Sequence, residues 1–185
     1  MNRLLTICLI LIVFYIFWIP GFRVSSDLHV GDRSIQLVNL FPWTWKEVGV
    51  ADGLGEYNTP SLWSLPMHVF FGIFALLGIT SDIQTKLFGL IILLLGYLGM
   101  WRLLRYYKIG EVARSIGSTF FILNSFFLLL FDGGQLSIAL AYSCIPHILF
   151  YFFKSIENGK INEKLKLTFW IILLSTFDIR IVYLI

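Results

Sequence analysis

Long apolar stretches alternate with short polar connections along most of the chain. Five stretches cover residues 4–22, 87–104, 116–131, 136–153 and 165–185, and a weaker sixth covers residues 65–79. A helix needs roughly 20 residues to cross about 30 Å of hydrocarbon, and a helix satisfies its own backbone groups where water is absent. The pattern predicts an all-α fold: a polytopic transmembrane helix bundle of five or six segments, forming a single domain over residues 1–185.

Composition agrees with this pattern, because 58% of the 185 residues are apolar and 14% are charged. The mean hydropathy of +0.83 is typical of an integral membrane protein. A net charge of only +3 without a basic stripe argues against a nucleic-acid partner. Cys8 and Cys144 both lie in apolar segments, which favours small buried side chains over a disulfide or a metal site.

The first apolar segment follows Asn2 and Arg3 and has the features of either a secretory signal or a membrane anchor. Its apolar core is long, and no alanine precedes Ala51 to form a small-residue cleavage site. We therefore interpret it as an uncleaved anchor.

Basic residues are concentrated in two connections of the chain, and such connections favour the cytoplasmic side. They are Arg102, Arg105, Lys108 and Arg114 in one, and Lys154, Lys160, Lys164 and Lys166 in the other. The two segments between them would form a hairpin whose tip, "FDGGQLS", is external and carries Asp132 as its one charge.

This assignment conflicts with a cytoplasmic N-terminus if every segment crosses the membrane. One solution makes residues 65–79 re-entrant or interfacial, so that the chain from Arg23 to about Lys86 is external; the other places the N-terminus outside. We favour the first, because Arg3 prefers the inside and Pro60 and Pro66 interrupt the start of the weak segment. The expected location is the cell membrane, with a cytoplasmic N-terminus and an external first long loop.

The first loop is polar and rich in tryptophan, a residue that favours the membrane boundary. Residues 34–49 carry enough apolar side chains for a short helix lying flat on the bilayer. Such a loop suits a lipid-linked substrate, and it is equally typical of an ordinary packed external loop. In "VGDRS", Asp32 could serve as a general base or metal ligand, and Arg33 could bind a phosphate.

Several stretches together resemble the C-type membrane glycosyltransferases, and more narrowly arabinofuranosyltransferase-like membrane proteins. The resemblance rests on an anchor followed by "GDRSIQLVNLFPWTW", "LPMHVFFGIFALLGI", "MWRLLRYY", "VARSIGSTFFILNSFF" and "FDIR". In "VARSIGSTFFILNSFF", the family pattern has a helix led by Ala-Arg that ends near Asn-Pro, and Ser125 stands where that pattern favours proline. In "FDIR", Ile179 stands in place of a family proline.

The resemblance implies transfer of a sugar from a polyprenyl-phosphate-linked donor to an extracytoplasmic acceptor, within membrane lipid. Asp32 matches the catalytic acid of the family loop, with Asp27 as the alternative, and Arg33 and Arg180 are phosphate-binding candidates. The cofactor stays open, with a divalent metal ion as the candidate. Family members are several times longer, so the chain is expected to be an N-terminal part that needs the remaining C-terminal part for activity.

The polar residues at the predicted outer side suggest a shared pocket. Asp178 and Arg180 lie in the last apolar segment, past the bilayer middle if that segment runs outward from Lys166. Charges at such depth need partners or a wet cavity. We therefore expect Asp178, Arg180 and Asp132 to lie near the outer loop as substrate- or phosphate-binding residues. The alternative is that Arg180 extends to the lipid headgroups and Asp178 is neutralised locally.

Two other functional classes compete with the enzyme. A transporter or channel subunit also carries charges inside spanning helices, but no internal repeat or paired Gly and Pro interruption is evident. A small non-catalytic membrane subunit would explain the short chain but not the elaborate outer loop.

Overall fold

The computed structural model describes residues 65–178 and 181, together with short pieces at 7, 11, 36–37, 45–46 and 56–57. Two strands and six helices follow in chain order. They are β1 (Trp45–Lys46), β2 (Glu56–Tyr57), α1 (Leu65–Leu76), α2 (Ser81–Tyr106), α3 (Glu111–Ile122), α4 (Ser125–Asp132), α5 (Leu136–Asn158) and α6 (Ile161–Phe177). The described part of the chain is therefore mainly helical, with one minimal strand pair.

The strand pair corrects one expectation for the first loop. A short helix was expected over residues 34–49, and Gln36 and Leu37 are indeed helical. Trp45 and Lys46 instead form β1, which pairs antiparallel with β2 and places Trp45 opposite Tyr57. Pro42 disfavours a continuing helix, and aromatic residues favour strands, so local preference changes within the segment.

Fewer helices are long enough to cross a membrane than the five or six expected. In the part of the chain that the structure describes, two qualify, Ile83–Tyr106 with 24 residues and Leu136–Asn158 with 23. A third span arises if Glu111–Ile122 and Ser125–Phe131, bent by 45°, are counted together. The predicted anchor at 4–22 lies outside the described residues except for Ile7 and Leu11, which are helical.

The remaining two apolar segments form shorter helices. Helix α1 has 12 residues, about 18 Å at 1.5 Å per residue, so it is too short to cross the hydrocarbon. A spanning segment was predicted over residues 165–185. The structure instead has the 17-residue α6, about 25 Å long, which begins and ends earlier in the chain. Asp178 was expected to be helical. It instead follows the end of α6 in an extended conformation, with φ −159° and ψ 108°.

Helix α5 lies at the centre of the described bundle, between α2 and α6, and small residues bring α2 and α5 together. His147 Nε2 lies 3.1 Å from the Leu95 carbonyl oxygen, which accepts its hydrogen bond. A Cβ atom at Gly99 would lie 2.7 Å from two atoms of the same imidazole ring. Close approach through glycine is a common way to join helices in membranes. Gly96, about one turn before Gly99 in α2, lies against Ser143, about one turn before His147 in α5. Because the contacts advance in the same direction along both helices, α2 and α5 run parallel.

Helix α6 returns antiparallel to α5. Trp170 stacks on His147 with ring centroids 4.1 Å apart, and Glu163 lies beside Lys154 near the connection. Gly159, at φ +62°, occupies the left-handed conformation that closes this tight turn. Because α2 and α5 are parallel, both finish at the same end of the bundle. Helix α3 returns antiparallel to α2 as α6 does to α5, so the connections α2–α3 and α5–α6 lie together at that end.

Helix α1 packs against the first half of α2 and also contacts α6. The Phe70 and Phe71 rings lie 5.2 and 5.3 Å from the Phe88 ring. Met67, Phe71 and Phe88 belong to one buried cluster with residues of α4 and α5, and Phe177 packs against that cluster. The end of α6 thus meets α1 on the side of the bundle where α2 begins.

The break between α3 and α4 is centred on Asn124. Its Oδ1 accepts a hydrogen bond from Phe127 N at 2.9 Å, which caps α4, and its Nδ2 donates to Phe121 O at 2.6 Å. Nδ2 also lies 3.1 Å from the Tyr142 hydroxyl on α5. A single side chain therefore satisfies backbone groups on both sides of the break, as an apolar surrounding requires.

Candidate functional site

Polar side chains collect at both ends of the described bundle, in two groups of different character. The first group, called the amide end, lies where α2 begins and α6 ends, and comprises Gln36, Gln84, Thr85 and Asp178. The second, called the cationic end, lies where α2 and α5 end, and comprises Arg102, Tyr151, Lys154, Glu163 and Lys166.

Gln84 is the centre of the amide end and is 1% exposed. Its Nε2 donates to the Ile79 carbonyl oxygen at 2.7 Å and to Gln36 Oε1 at 3.2 Å. The first bond supports the turn between α1 and α2, and the second joins the first loop to the bundle. Gln84 Oε1 is buried and has no hydrogen-bond partner among the described residues. Such an atom is unusual in a native interior, where buried polar atoms are nearly all paired.

Asp178 directly follows the end of α6, on the side of the bundle where α2 begins. The residue is 8% exposed and follows Phe177, which packs against the cluster that contains α1. A carboxylate this deep in an apolar bundle needs compensation by a hydrogen bond or a charge. The expectation that Asp178 shares a polar pocket with the outer loop stays a prediction.

Most of the other predicted site residues lie outside the described residues. Asp27, Asp32, Arg33 and Arg180 belong to this group, so their placement relative to Asp178 stays a prediction. Asp132 is the last residue of α4, at the connection to α5, so its backbone lies at the same end of the bundle as the start of α2.

A metal site is not evident in the part of the chain that the structure describes. Within residues 65–178 and the shorter described pieces, no group of three His, Cys, Asp or Glu side chains is placed to hold an ion. Asp32, which the sequence suggested as a possible metal ligand, lies outside those residues.

The cationic end is organised around Glu163, in the first turn of α6. Lys154 Nζ on α5 and Lys166 Nζ on α6 lie 3.6 and 3.5 Å from the same Glu163 oxygen, Oε1. Glu163 is 8% exposed, whereas the two lysine side chains are 35% and 43% exposed. The other oxygen, Oε2, is buried and has no partner among the described residues.

Two consecutive aromatic residues of α5 hold the cations of this end in place. Arg102 Nη1 donates to the Tyr151 hydroxyl at 3.0 Å. Lys166 Nζ lies 5.7 Å from the centroid of the Tyr151 ring, and Lys154 Nζ lies 5.5 Å from that of Phe150. These distances are within the range of cation–π attraction. The cationic end is thus a constructed arrangement of charges and rings from three helices.

Sequence reasoning treated these basic residues only as a signal of topology and missed the cluster. The spacing of Glu163 and Lys166, three residues apart on a helix, indicates one contact. The contacts of Lys154 and Arg102 depend on how α5 packs against α6 and α2, and local spacing does not reveal them.

Comparison of this chain with protein-family models, with curated proteins and with solved structures finds no match. Functional inference therefore rests on the residues themselves and on the resemblance noted in the sequence.

Proposed function

We propose that the protein acts as a C-type membrane glycosyltransferase, moving a sugar from a polyprenyl-phosphate-linked donor to an extracytoplasmic acceptor. The bundle of helices would anchor the protein in lipid and present the first loop at the outer surface. Membrane lipid and the polyprenyl-linked donor are the partners, and a divalent metal ion is the candidate cofactor.

The observation that carries the proposal is the buried hydrogen bond between Gln36 and Gln84. It fixes a residue of the first loop, five positions after Gly31 of "GDRS", onto the end of the bundle where α2 begins. Asp178 lies on the same side of the bundle. A loop held in this way could bring its own acid close to charged groups of the helices, as a transferase site requires.

The helix boundaries add support in the stretch that carries the resemblance. Helix α3 includes Ala113 and Arg114 and ends at Ile122, two residues before Asn124. This agrees with the family pattern of a helix led by Ala-Arg and ending near Asn, although Ser125 replaces the family proline.

The proposed topology places the amide end outside and the cationic end in the cytoplasm. Basic connections favour the cytoplasmic side, and the two basic connections of this chain lie at one end of the bundle. The 12-residue α1 is too short to span, which is compatible with a first loop that stays external from Arg23 to about Lys86.

In the proposed reaction, Asp32 removes the proton of the acceptor hydroxyl, and Asp27 is the alternative base. Arg33 and Arg180 would stabilise the phosphate of the departing polyprenyl phosphate through charge-assisted hydrogen bonds. A bound divalent ion would neutralise the same phosphate. Asp178 and Asp132 would border the substrate pocket.

Transfer of a radiolabelled pentofuranose from its polyprenyl-phosphate donor to an added acceptor, with release of free polyprenyl phosphate, tests the proposal in proteoliposomes that hold this chain together with the expected C-terminal part. The unchanged protein should consume the donor, and Asp32→Asn should slow consumption by about 10²-fold, the scale expected for loss of a general base. Asp52→Asn, another acid of the first loop, is the matched control and should leave the rate within about twofold. Equal rates for both variants would remove Asp32 from the chemistry, and failure of the unchanged protein to bind or consume donor would overturn the proposed activity.

A transporter of the lipid-linked sugar is the second candidate, favoured by the 45° break between α3 and α4. Discontinuous spanning helices are typical of transporters, in which they surround the substrate. The same proteoliposomes distinguish the two functions: transfer produces free polyprenyl phosphate, whereas transport leaves the donor intact and exposes it to an impermeant reagent on the opposite leaflet.

A further inference from the structure

We propose that the cationic end binds the phosphate of an anionic phospholipid headgroup, with Arg102, Lys154 and Lys166 as its contacts. Glu163 is the positioning residue that holds the two lysines together. This inference is independent of the proposed enzymatic activity, which concerns the opposite end of the bundle.

The location of the cationic end suits a lipid headgroup. The two helices of the described chain that are long enough to span, Ile83–Tyr106 and Leu136–Asn158, both finish at this end. Arg102 lies in the last turns of the first helix, and Lys154 in the last turns of the second. Residues at the ends of spanning helices lie level with the phosphate layer of the bilayer.

The charge balance of this end calls for an anion. Residues 101–114 and 150–166 contain eight Lys and Arg residues and three Glu residues. At the centre of the group, one carboxylate, Glu163, faces the two ammonium groups of Lys154 and Lys166, and the guanidinium of Arg102 adds a third positive charge around the same two rings. Basic groups beside a membrane attract anionic lipids, and Arg and Lys are the common partners of phosphate.

The geometry also favours a defined phosphate-binding site over a general electrostatic attraction by surface charges. Both ammonium groups lie within 3.6 Å of Glu163 Oε1, so two donors converge before any ligand arrives. Arg102 is fixed by its hydrogen bond to Tyr151. Because the three cations are already positioned, little side-chain entropy would be lost when a phosphate binds.

Glu163 itself points to a function for the arrangement. The residue is 8% exposed and its Oε2 has no partner among the described residues, so its burial opposes stability. Lys154 and Lys166, in contrast, remain partly exposed and can reach a ligand. The buried carboxylate is best explained as the group that positions two accessible donors.

Native mass spectrometry of the full chain in detergent, with phosphatidylglycerol or phosphatidylcholine added, tests the site. The unchanged protein should retain phosphatidylglycerol in preference to phosphatidylcholine. The double variant Lys154→Gln/Lys166→Gln should bind phosphatidylglycerol about tenfold more weakly or worse.

The double variant Lys160→Gln/Lys164→Gln is the matched control, because it removes the same charge from exposed positions of the same connection. It should weaken binding by no more than about twofold if the site is specific. An equal loss of affinity for phosphatidylglycerol in the two double variants would mean that net charge alone attracts the lipid, and the proposed site would be refuted. Inorganic phosphate at millimolar concentration should not displace the lipid; if it does, the ligand is a free phosphate and not a headgroup.

Glu163→Gln separates positioning from charge. The variant makes the end more positive, so simple attraction predicts tighter binding of phosphatidylglycerol. A positioning role predicts weaker binding by about threefold or more, because the lysines are no longer held together, with partial rescue by Glu163→Asp. Tighter binding in Glu163→Gln would overturn the positioning role of Glu163.

Discussion

The two ends of the bundle treat polar groups in opposite ways. At the amide end, Gln84 and Thr85 are each 1% exposed, and a hydrogen bond between two neutral amides, Gln84 and Gln36, joins the first loop to α2. At the cationic end, the lysines remain partly exposed around one buried carboxylate. The charged residues on the described helices are also distributed unequally between the two ends. Asp82, Lys86, Asp132 and Asp178 lie towards the amide end, whereas the cationic end has eight cations and three carboxylates.

This difference has a physical basis in what surrounds each end. A neutral amide is cheaper to bury than a charge, so burial of polar groups under a loop favours Gln and Thr. A charged group that faces water and lipid headgroups loses little hydration, so Lys and Arg are tolerated there. The amide end is therefore suited to structure and a shielded site, and the cationic end to a surface contact.

The largest expected effect is an all-or-none difference in access between the ends. In a background with Cys8→Ser and Cys144→Ala, Thr80→Cys should react with an impermeant thiol reagent added to intact cells, and Lys108→Cys should react only after permeabilisation. Ser34→Cys should behave like Thr80→Cys, because α1 is expected not to cross the membrane. Labelling of Ser34→Cys without Thr80→Cys would mean that the segment at 65–79 spans, and the proposed topology would be wrong.

A second effect concerns the contact between α2 and α5 that connects the ends. Gly99→Ala places a methyl group 2.7 Å from the His147 ring and should destabilise the bundle by about 1–3 kcal/mol. In a His147→Ala background the same change should become neutral, or stabilising by about 0.5–1 kcal/mol, because alanine favours a helix. Thermal unfolding in detergent measures both, and equal costs in the two backgrounds would show that the steric contact is not the cause.

The third effect compares one substitution at each end. Gln84→Leu leaves the Ile79 carbonyl oxygen without its side-chain donor and should cost about 1–3 kcal/mol, because that loss occurs in a buried site. Arg102→Leu, at an exposed position, should cost less than about 1 kcal/mol. Gln84→Leu should also raise the reactivity of Leu37→Cys, since the loop loses its bond to α2. If Arg102→Leu destabilises the protein more than Gln84→Leu does, the assignment of Gln84 to a buried role and of Arg102 to a surface role is wrong.

The parts of the fold that were predictable are those that depend on long apolar runs. The runs at 87–104 and 136–153 correspond to α2 and α5, extended by a few residues into polar flanks. The run at 116–131 concealed the break at Asn124, although an Asn-Ser pair inside an apolar run is a helix-capping signal. Composition alone does not distinguish a straight span from a bent one.

The sites were less predictable, because they depend on contacts between distant residues. Gln36 and Gln84 are 48 positions apart, and the identity of neither residue predicts the other. Asp178 stays a predicted site residue, and its predicted helical conformation was wrong because α6 ends at Phe177. The role of Asp32 and Asp27 in the first loop rests on residue chemistry and on the resemblance, so it stays a prediction.

The break between α3 and α4 has a mechanical consequence. Tyr142 of α5 stacks on Phe121, with ring centroids 4.8 Å apart and planes 7° from parallel, and its hydroxyl lies 3.1 Å from Asn124 Nδ2. Its ring also lies 5.8 Å from that of Phe127, so one residue contacts the end of the first half-helix and the start of the second. Straightening the bend would have to separate all of these groups at once. These contacts favour a fixed corner over a hinge, so we expect a large movement to carry α3, α4 and α5 together.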